Sequence, residues 1–444
     1  MDAVSLPTSP NISLRRELGR WDLTAIGVNQ VIGGAVFAMP AVLAANAGAW
    51  SPWLVAAVGG ASMLIALSFA EVASRFEGTG GPYLYTRAAF GRFPAFEVGW
   101  MLWFTRVASW AAVINVLVAS LGFYWPSLTA GVPRMALITS IITALAVINI
   151  RGIRQSSILV NILTIGKMLP LAFFVIVGIF FVEWPRLAPG PLPTVAQLST
   201  SGLLLIYTFG GYEVVPVPAG ETRNPRRDVP FALIMTIATV AVLLTLAQIV
   251  TLGTLPGLPA SRTPLADSAR TFLGAAGAAA ITIGAVFSAS GNNMGGALSG
   301  SRNLFALAEQ GDLPRFFGYV HPALRTPVNA IVVTAAIALM LALSGTFQSM
   351  AQASAVSRLL VYTATCASAL RLRSRRYAAV VEPAQFMVPL GPTIPVAALM
   401  ISLTILAGAT PLQLRNGLAA LAAGAILYLI AVAAQKRSTA RQPA

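Results

Sequence analysis

The chain has 444 residues, of which 57% are hydrophobic and only 10% charged, with a mean hydropathy of +0.77. Soluble domains carry roughly 25% charged residues, so this composition excludes a soluble globular protein and describes an integral membrane protein. One cysteine (Cys366) excludes an intrachain disulfide, and one histidine (His321) excludes a His-rich metal site or a His-based triad; the net charge of +15 raises nucleic acid as a partner.

Residues 1–22 read as a polar tail, with Arg15, Arg16 and Arg20 just before the first apolar stretch and no small-residue cleavage site, so no cleavable signal peptide is expected. A spanning helix needs about 20 mostly apolar residues. Twelve stretches qualify: 23–46, 52–73, 97–122, 132–150, 156–182, 199–219, 230–252, 272–299, 327–344, 347–370, 388–409 and 415–434. With a cytoplasmic N-terminus, the connecting segments and tails on the inner side hold 21 Lys and Arg, and those on the outer side hold 5. The positive-inside rule therefore puts both termini in the cytoplasm, including the tail at 435–444. The basic excess is a topology signal and argues against a nucleic-acid surface. No separate soluble domain is expected. Arg outnumbers Lys 27 to 2, a composition of GC-rich bacterial genomes that points to a bacterial inner membrane.

Two of the stretches are interrupted by glycine pairs, Gly33-Gly34 and Gly210-Gly211. Interrupted helices at corresponding positions of two halves mark the binding site of a secondary transporter, because unwound backbone is tolerated in a membrane only where protein or a watery cavity satisfies it. Beyond such a break a half-helix offers free N–H groups and its positive dipole end; before it stand unpaired carbonyls. A zwitterionic amino acid matches both, its carboxylate on the amides of Gly33, Gly34 and Ala35 and its ammonium on carbonyls near Ile32, Phe209 and Gly210, with Gly211 also counted among the binding residues. The bland alternative is that these glycines only let helices pack closely. Three cations lie within spans: Arg106, Lys167 and Arg358. A charge at the centre of a spanning helix costs at least ~2.5 kcal/mol and is usually functional. Lys167 is expected to exchange a proton during transport, since desolvation acts on its charged form; a permanently paired lysine is the alternative. Arg106, always charged, needs a partner, for which Glu213 just past the second break is the candidate. Glu213, Asn292 and Asn293 are also candidates to line the cavity, and Arg358 has no assigned role.

Four blocks then carry a resemblance to a family. They are Ile32-Gly33-Gly34-Ala35-Val36-Phe37; Glu71 to Phe76 followed by Gly80-Gly81-Pro82-Tyr83; Phe209 to Glu213 followed by Glu221 to Pro230; and Ser301 to Leu307 followed by Gly311-Asp312-Leu313-Pro314. Along nearly its whole length the chain resembles the amino acid–polyamine–organocation superfamily of permeases. The resemblance implies the LeuT-type fold: a first repeat of five helices over 23–182, a second over 199–370 related to it by inversion, and two further helices over 388–434. It implies that Trp110, four residues from Arg106, covers the substrate, and that Lys167 takes the place of a sodium ion bound by sodium-coupled relatives. The family's Ser-Gly after the first glycine is here Gly34-Ala35, which keeps the backbone donors and loses a hydroxyl.

The resulting expectation is an all-α secondary transporter of amino acids, working by alternating access in symport with protons. An amino acid or amine exchanger and a polyamine carrier on the same fold are the alternatives, the latter disfavoured because Glu213 is the only obvious cavity acid. A membrane enzyme or receptor is the distant one, since no metal-ligand or paired-acid cluster is visible; no cofactor, metal or catalytic residue is expected. Glu71, Glu221, Asp228, Arg302 and Asp312, at helix ends, are expected to form a charge network closing the cytoplasmic side.

Overall fold

The computed structural model describes residues 14–121, 125–344, 347–379 and 381–439, and a lone parallel bridge between Leu18 and Thr222 is the only strand-like pairing among them. The expected tails at 1–22 and 435–444 therefore fall partly outside the described residues. The chain is otherwise helical, in the order α1 Arg20–Val31, α2 Ala35–Ala47, α3 Ser51–Ala73, α4 Pro82–Phe90, α5 Arg92–Leu121, α6 Gly131–Arg151, α7 Ile153–Gly178, α8 Val195–Phe209, α9 Pro225–Thr254, α10 Pro264–Glu309, α11 Val328–Ser344, α12 Phe347–Arg371, α13 Thr393–Ala407 and α14 Pro411–Thr439.

Seven stretches of the described residues are long and apolar enough to cross a bilayer, one of them, Val36–Ala73, running through α2 and α3. The apolar α11 and α13 are shorter, at 17 and 15 residues. Each stretch expected from the sequence falls on one or two of these helices, with two differences. The stretch at 199–219 is α-helical only to Phe209; beyond Gly211 the chain runs in short 3-10 turns, Tyr212–Val214 and Ala219–Glu221. Pro216 and Pro218 lack the N–H that an α-helix would need there. The expected 272–299 span is instead part of the 46-residue α10, kinked at Gly274, where φ is +65°.

Helix α1 packs on α7 and α9, α3 packs on α9, and α10 lies across both α5 and α7. Small residues set the closest approaches, as expected where lipid supplies no hydrophobic drive for helix association. On α10, a Cβ at Gly291 would come within 2.4 Å of the Asn29 side chain, and one at Gly295 within 2.2 Å of that of Gln30. At Gly211, which has φ of +130°, a Cβ would stand 2.6 Å from the Gln30 carbonyl oxygen. The two interruptions thus meet backbone to backbone.

Replacing Gly211 by alanine adds both a clash and an unfavourable backbone conformation, with an expected loss of about 1–3 kcal/mol. Gly202, with no atom within 4 Å of its Cβ position, is the comparison. The melting temperature of purified Gly211→Ala should fall by several degrees while that of Gly202→Ala is unchanged or raised; equal melting temperatures would contradict the backbone contact.

Candidate functional site

Helix α1 stops at Val31 and α2 begins at Ala35, leaving Ile32 non-helical (φ −78°, ψ 82°). The carbonyl end of α1 is met by Lys167, fully buried on α7. Its Nζ lies 3.0 Å from the Asn29 carbonyl oxygen, 2.9 Å from Asn29 Oδ1 and 2.6 Å from the Ile32 carbonyl oxygen. An ammonium has three N–H donors, so all three are used, and a cation at a helix C-terminus is favoured by the dipole. Ser288 on α10 donates to the same Ile32 oxygen at 2.7 Å, and the Asn29 amide donates to Thr164 Oγ1 at 2.8 Å. Both lone pairs of the Ile32 carbonyl are therefore occupied, leaving none for a substrate ammonium in this arrangement.

At the second interruption Glu213 is buried. Its Oε1 takes Arg106 Nη2 at 2.9 Å and stands 3.0 Å from Arg358 Nε. Its Oε2 accepts the Gly211 N–H at 2.8 Å and the Tyr362 hydroxyl at 2.8 Å. A carboxylate has about four acceptor positions; three are taken by hydrogen bonds, and the Arg358 guanidinium lies beside it as an ion pair whose Nε–H is not aligned for a hydrogen bond. Glu213 thus stands as the centre of an ion-pair cluster with two arginines. Arg358, unassigned from the sequence, also donates Nη1 to the Tyr207 carbonyl at the end of α8, 3.3 Å away, and lies over Gly210 so closely that a Cβ there would come within 2.2 Å of its guanidinium.

Gln30 links the two clusters. Its Oε1 accepts from Arg106 Nη1 at 3.2 Å, its Nε2 donates to the Asn292 carbonyl at 3.0 Å, and its own carbonyl accepts from Asn292 Nδ2 at 3.2 Å. Asn292 thus bonds the backbone of α1 beside the break, and a Cβ at Gly33 would lie 3.5 Å from its amide nitrogen. Asn293 donates to Ala289 on its own helix, and its buried Oδ1 has no partner among the described residues. Trp110 is buried, its Cβ 3.6 Å from the Cβ position of Gly296, and its indole N–H is also unpartnered among the described residues. The Phe209 ring packs against Gly59 on α3. The backbone of Gly33, Gly34 and Ala35 forms the turn into α2; the Gly33 N–H donates to the Val31 carbonyl at 2.9 Å and Phe37 N–H to the Gly34 carbonyl at 3.2 Å, so of the three expected amides those of Gly34 and Ala35 remain at the start of the half-helix.

Only α1 is followed by a true half-helix. After Gly211 there is no α-helix to present a dipole, and the Gly211 N–H is committed to Glu213. Asn29, Gln30, Ser288 and Tyr362 were not singled out from the sequence. The available signal was the Asn29-Gln30 amide pair in an otherwise apolar span, opposite glycines four apart on α10.

The charged helix ends form three separate clusters in place of a single network. Arg302 and Glu221, both fully buried, pair through two contacts of 2.9 Å, with Asn149 also bonded to the guanidinium. The N-terminal segment lies beside this pair, Leu18 N–H donating to the Glu221 carbonyl at 3.0 Å. Asp312 holds Arg87 at 2.7 Å, Arg92 at 2.8 Å and the Tyr83 hydroxyl at 2.6 Å. Burial and the Asp312 carboxylate push the Tyr83 hydroxyl up from its ordinary pKa, keeping it a donor. Glu71 pairs with Arg373 at 2.6 Å and accepts the Val388 N–H at 3.1 Å. Asp228, in the first turn of α9 where the dipole favours an acid, joins no ion pair among the described residues.

A membrane-spanning helical bundle whose buried polar groups converge on two interrupted helices is the architecture of a membrane permease. The sequence model of the amino acid permease family matches residues 18–433, and the chain belongs to that family. It is 31% identical over 372 residues to an uncharacterised transporter of Mycobacterium tuberculosis, covering 81% of each chain. It is 26% identical to the methylthioribose transporter of Bacillus subtilis, covering 87% of each. It is 27% identical to the serine/threonine exchanger of the same organism, covering 88% of this chain and 91% of the relative.

Removing one partner of a buried ion pair typically costs about 3–5 kcal/mol, whereas replacing both is far less damaging. Arg302→Met should therefore lower the melting temperature sharply, and Arg302→Met/Glu221→Met should recover much of the loss. Equal melting temperatures for the single and double variants would show that the pair is not the stabilising unit.

Proposed function

We propose that this protein is a secondary transporter that moves amino acids across the cell membrane by alternating access in symport with protons. In this reading twelve helices span the membrane as two inverted five-helix repeats plus two, with both termini in the cytoplasm of a bacterial cell. The substrate carboxylate binds the amides of Gly34 and Ala35, the Gly33 N–H being engaged by the Val31 carbonyl at 2.9 Å; Trp110 covers the side chain, and Asn293 supplies its unused oxygen. Arg106 and Glu213 act as a fixed pair that holds the second break in place. The family match and the relative named as an amino acid exchanger support amino acids as substrates; the relative named for methylthioribose marks how far the same scaffold departs from them.

The observation that carries the proton coupling is the seat of Lys167, whose ammonium spans the carbonyl end of α1. A neutral amine has two N–H donors and a lone pair, so losing the proton turns one of three attractive contacts into a repulsive one. That loosens the first break, and a ligand bound there feels the change. Ser288 also donates to the Ile32 carbonyl, so the fold should tolerate replacement of Lys167. The second reading, obligatory exchange, is favoured by the exchanger named among the relatives.

In proteoliposomes the wild type should accumulate a neutral amino acid when the outside is acidic, without a requirement for sodium. Lys167→Ala, checked to melt near the wild-type temperature, should retain counterflow of the same amino acid and lose accumulation. Full accumulation by a stable Lys167→Ala protein would reject the coupling role, and failure of any amino acid to move in the wild type would reject the transport reading.

A further inference from the structure

Helices α6 and α7 are separated only by Gly152, at φ +147°. Arg151 and Arg154 stand exposed on either side of this corner. Arg15 and Arg325 line the same recess, of about 130 Å³, together with a single acid, Glu17. Arg15 donates to the Ala323 carbonyl at 3.4 Å, while Arg151 and Arg154 enter no ion pair among the described residues. Four guanidiniums against one carboxylate leave the recess strongly positive.

The outward face of α7 begins one turn beyond the recess. Ile158, Ile162, Ile165, Leu169, Phe173 and Ile176 are each 49–65% exposed. Their spacing of three and four residues puts them in one stripe along a helix that is long and apolar enough to span a bilayer. The opposite face of α7 is buried and carries Lys167.

We propose that this corner is a binding site for an anionic phospholipid, its phosphate held by Arg15, Arg151, Arg154 and Arg325 and its acyl chain laid along the α7 stripe. Free phosphate would use the recess and leave the stripe unused; a zwitterionic lipid would use the stripe but gain little from an excess of arginines. Basic recesses between helices at a membrane face select anionic headgroups in this way, and guanidinium forks match phosphate oxygens. A second basic recess, of about 320 Å³ and lined by Arg16, Arg223, Arg226 and Arg227, differs in kind. There Arg16 is paired with Glu77, and Arg226 is committed to the Ser74 and Pro383 carbonyls.

The test uses the purified full chain in detergent, with phosphatidylglycerol, phosphatidylcholine of the same acyl chains, or inorganic phosphate added. Native mass spectrometry counts retained lipid and a thermal melt reports stabilisation. Phosphatidylglycerol should be retained and raise the melting temperature by several degrees more than phosphatidylcholine. Arg151→Gln/Arg154→Gln should weaken its retention roughly tenfold, with an unchanged melt in phosphatidylcholine. Arg223→Gln/Arg227→Gln removes the same charge from the other recess and should leave retention intact; Arg15→Gln is a second variant should the corner pair melt early. Equal retention of the two lipids, equal losses in both charge-matched variants, or full stabilisation by inorganic phosphate alone would each overturn the proposal.

Discussion

A helix interrupted inside a bilayer ends in carbonyl groups that lipid cannot satisfy, so each needs a donor from the protein or from a watery cavity. In this permease both interrupted helices end against a cation. Lys167 meets the carbonyls of Asn29 and Ile32 at the end of α1, and Arg358 meets that of Tyr207 in the last turn of α8. The dipole of each helix favours positive charge there, which explains how two such charges are accommodated deep in an apolar bundle.

The two caps differ in chemistry. Arginine keeps its proton under all ordinary conditions, whereas lysine gives one up when its surroundings favour the neutral form. Arg358 is fastened further by Glu213, which also holds Arg106, Tyr362 and the Gly211 amide. The second break is therefore held by a permanently charged arginine, and the first by a lysine. Gln30 joins them, one residue from Asn29 and bonded to Arg106 and Asn292.

Much of this was legible in the sequence, because glycine pairs and isolated charges in apolar stretches are local signals. Gly33-Gly34 and Gly210-Gly211 do interrupt helices, and Lys167 does face the first break. The family was legible from four short blocks and agrees with a match over residues 18–433. What the sequence hid is long-range. Arg358 is 145 residues from Glu213, and Ser288 is 256 from Ile32, so no spacing rule brings them together. Glu213 looked like a cavity acid because its partners come from two distant helices, Arg106 on α5 and Arg358 and Tyr362 on α12, besides the Gly211 amide of its own turn. The absence of an α-helix after Gly211 was readable from Pro216 and Pro218, but apolar character alone extended the span through them. The helix-end charges were identified as a group, while their division into three clusters depends on which helix ends are neighbours.

The most direct test of the account is the pH dependence of substrate affinity, measured as Kd in detergent between roughly pH 5 and pH 9. It compares the wild type with Lys167→Met, which keeps an unbranched side chain of similar length and removes the proton. If the lysine cap links protonation to the first break, the wild-type Kd shifts with pH and the variant's stays flat. Parallel curves for the two proteins would show that the coupling proton resides elsewhere and would contradict the account.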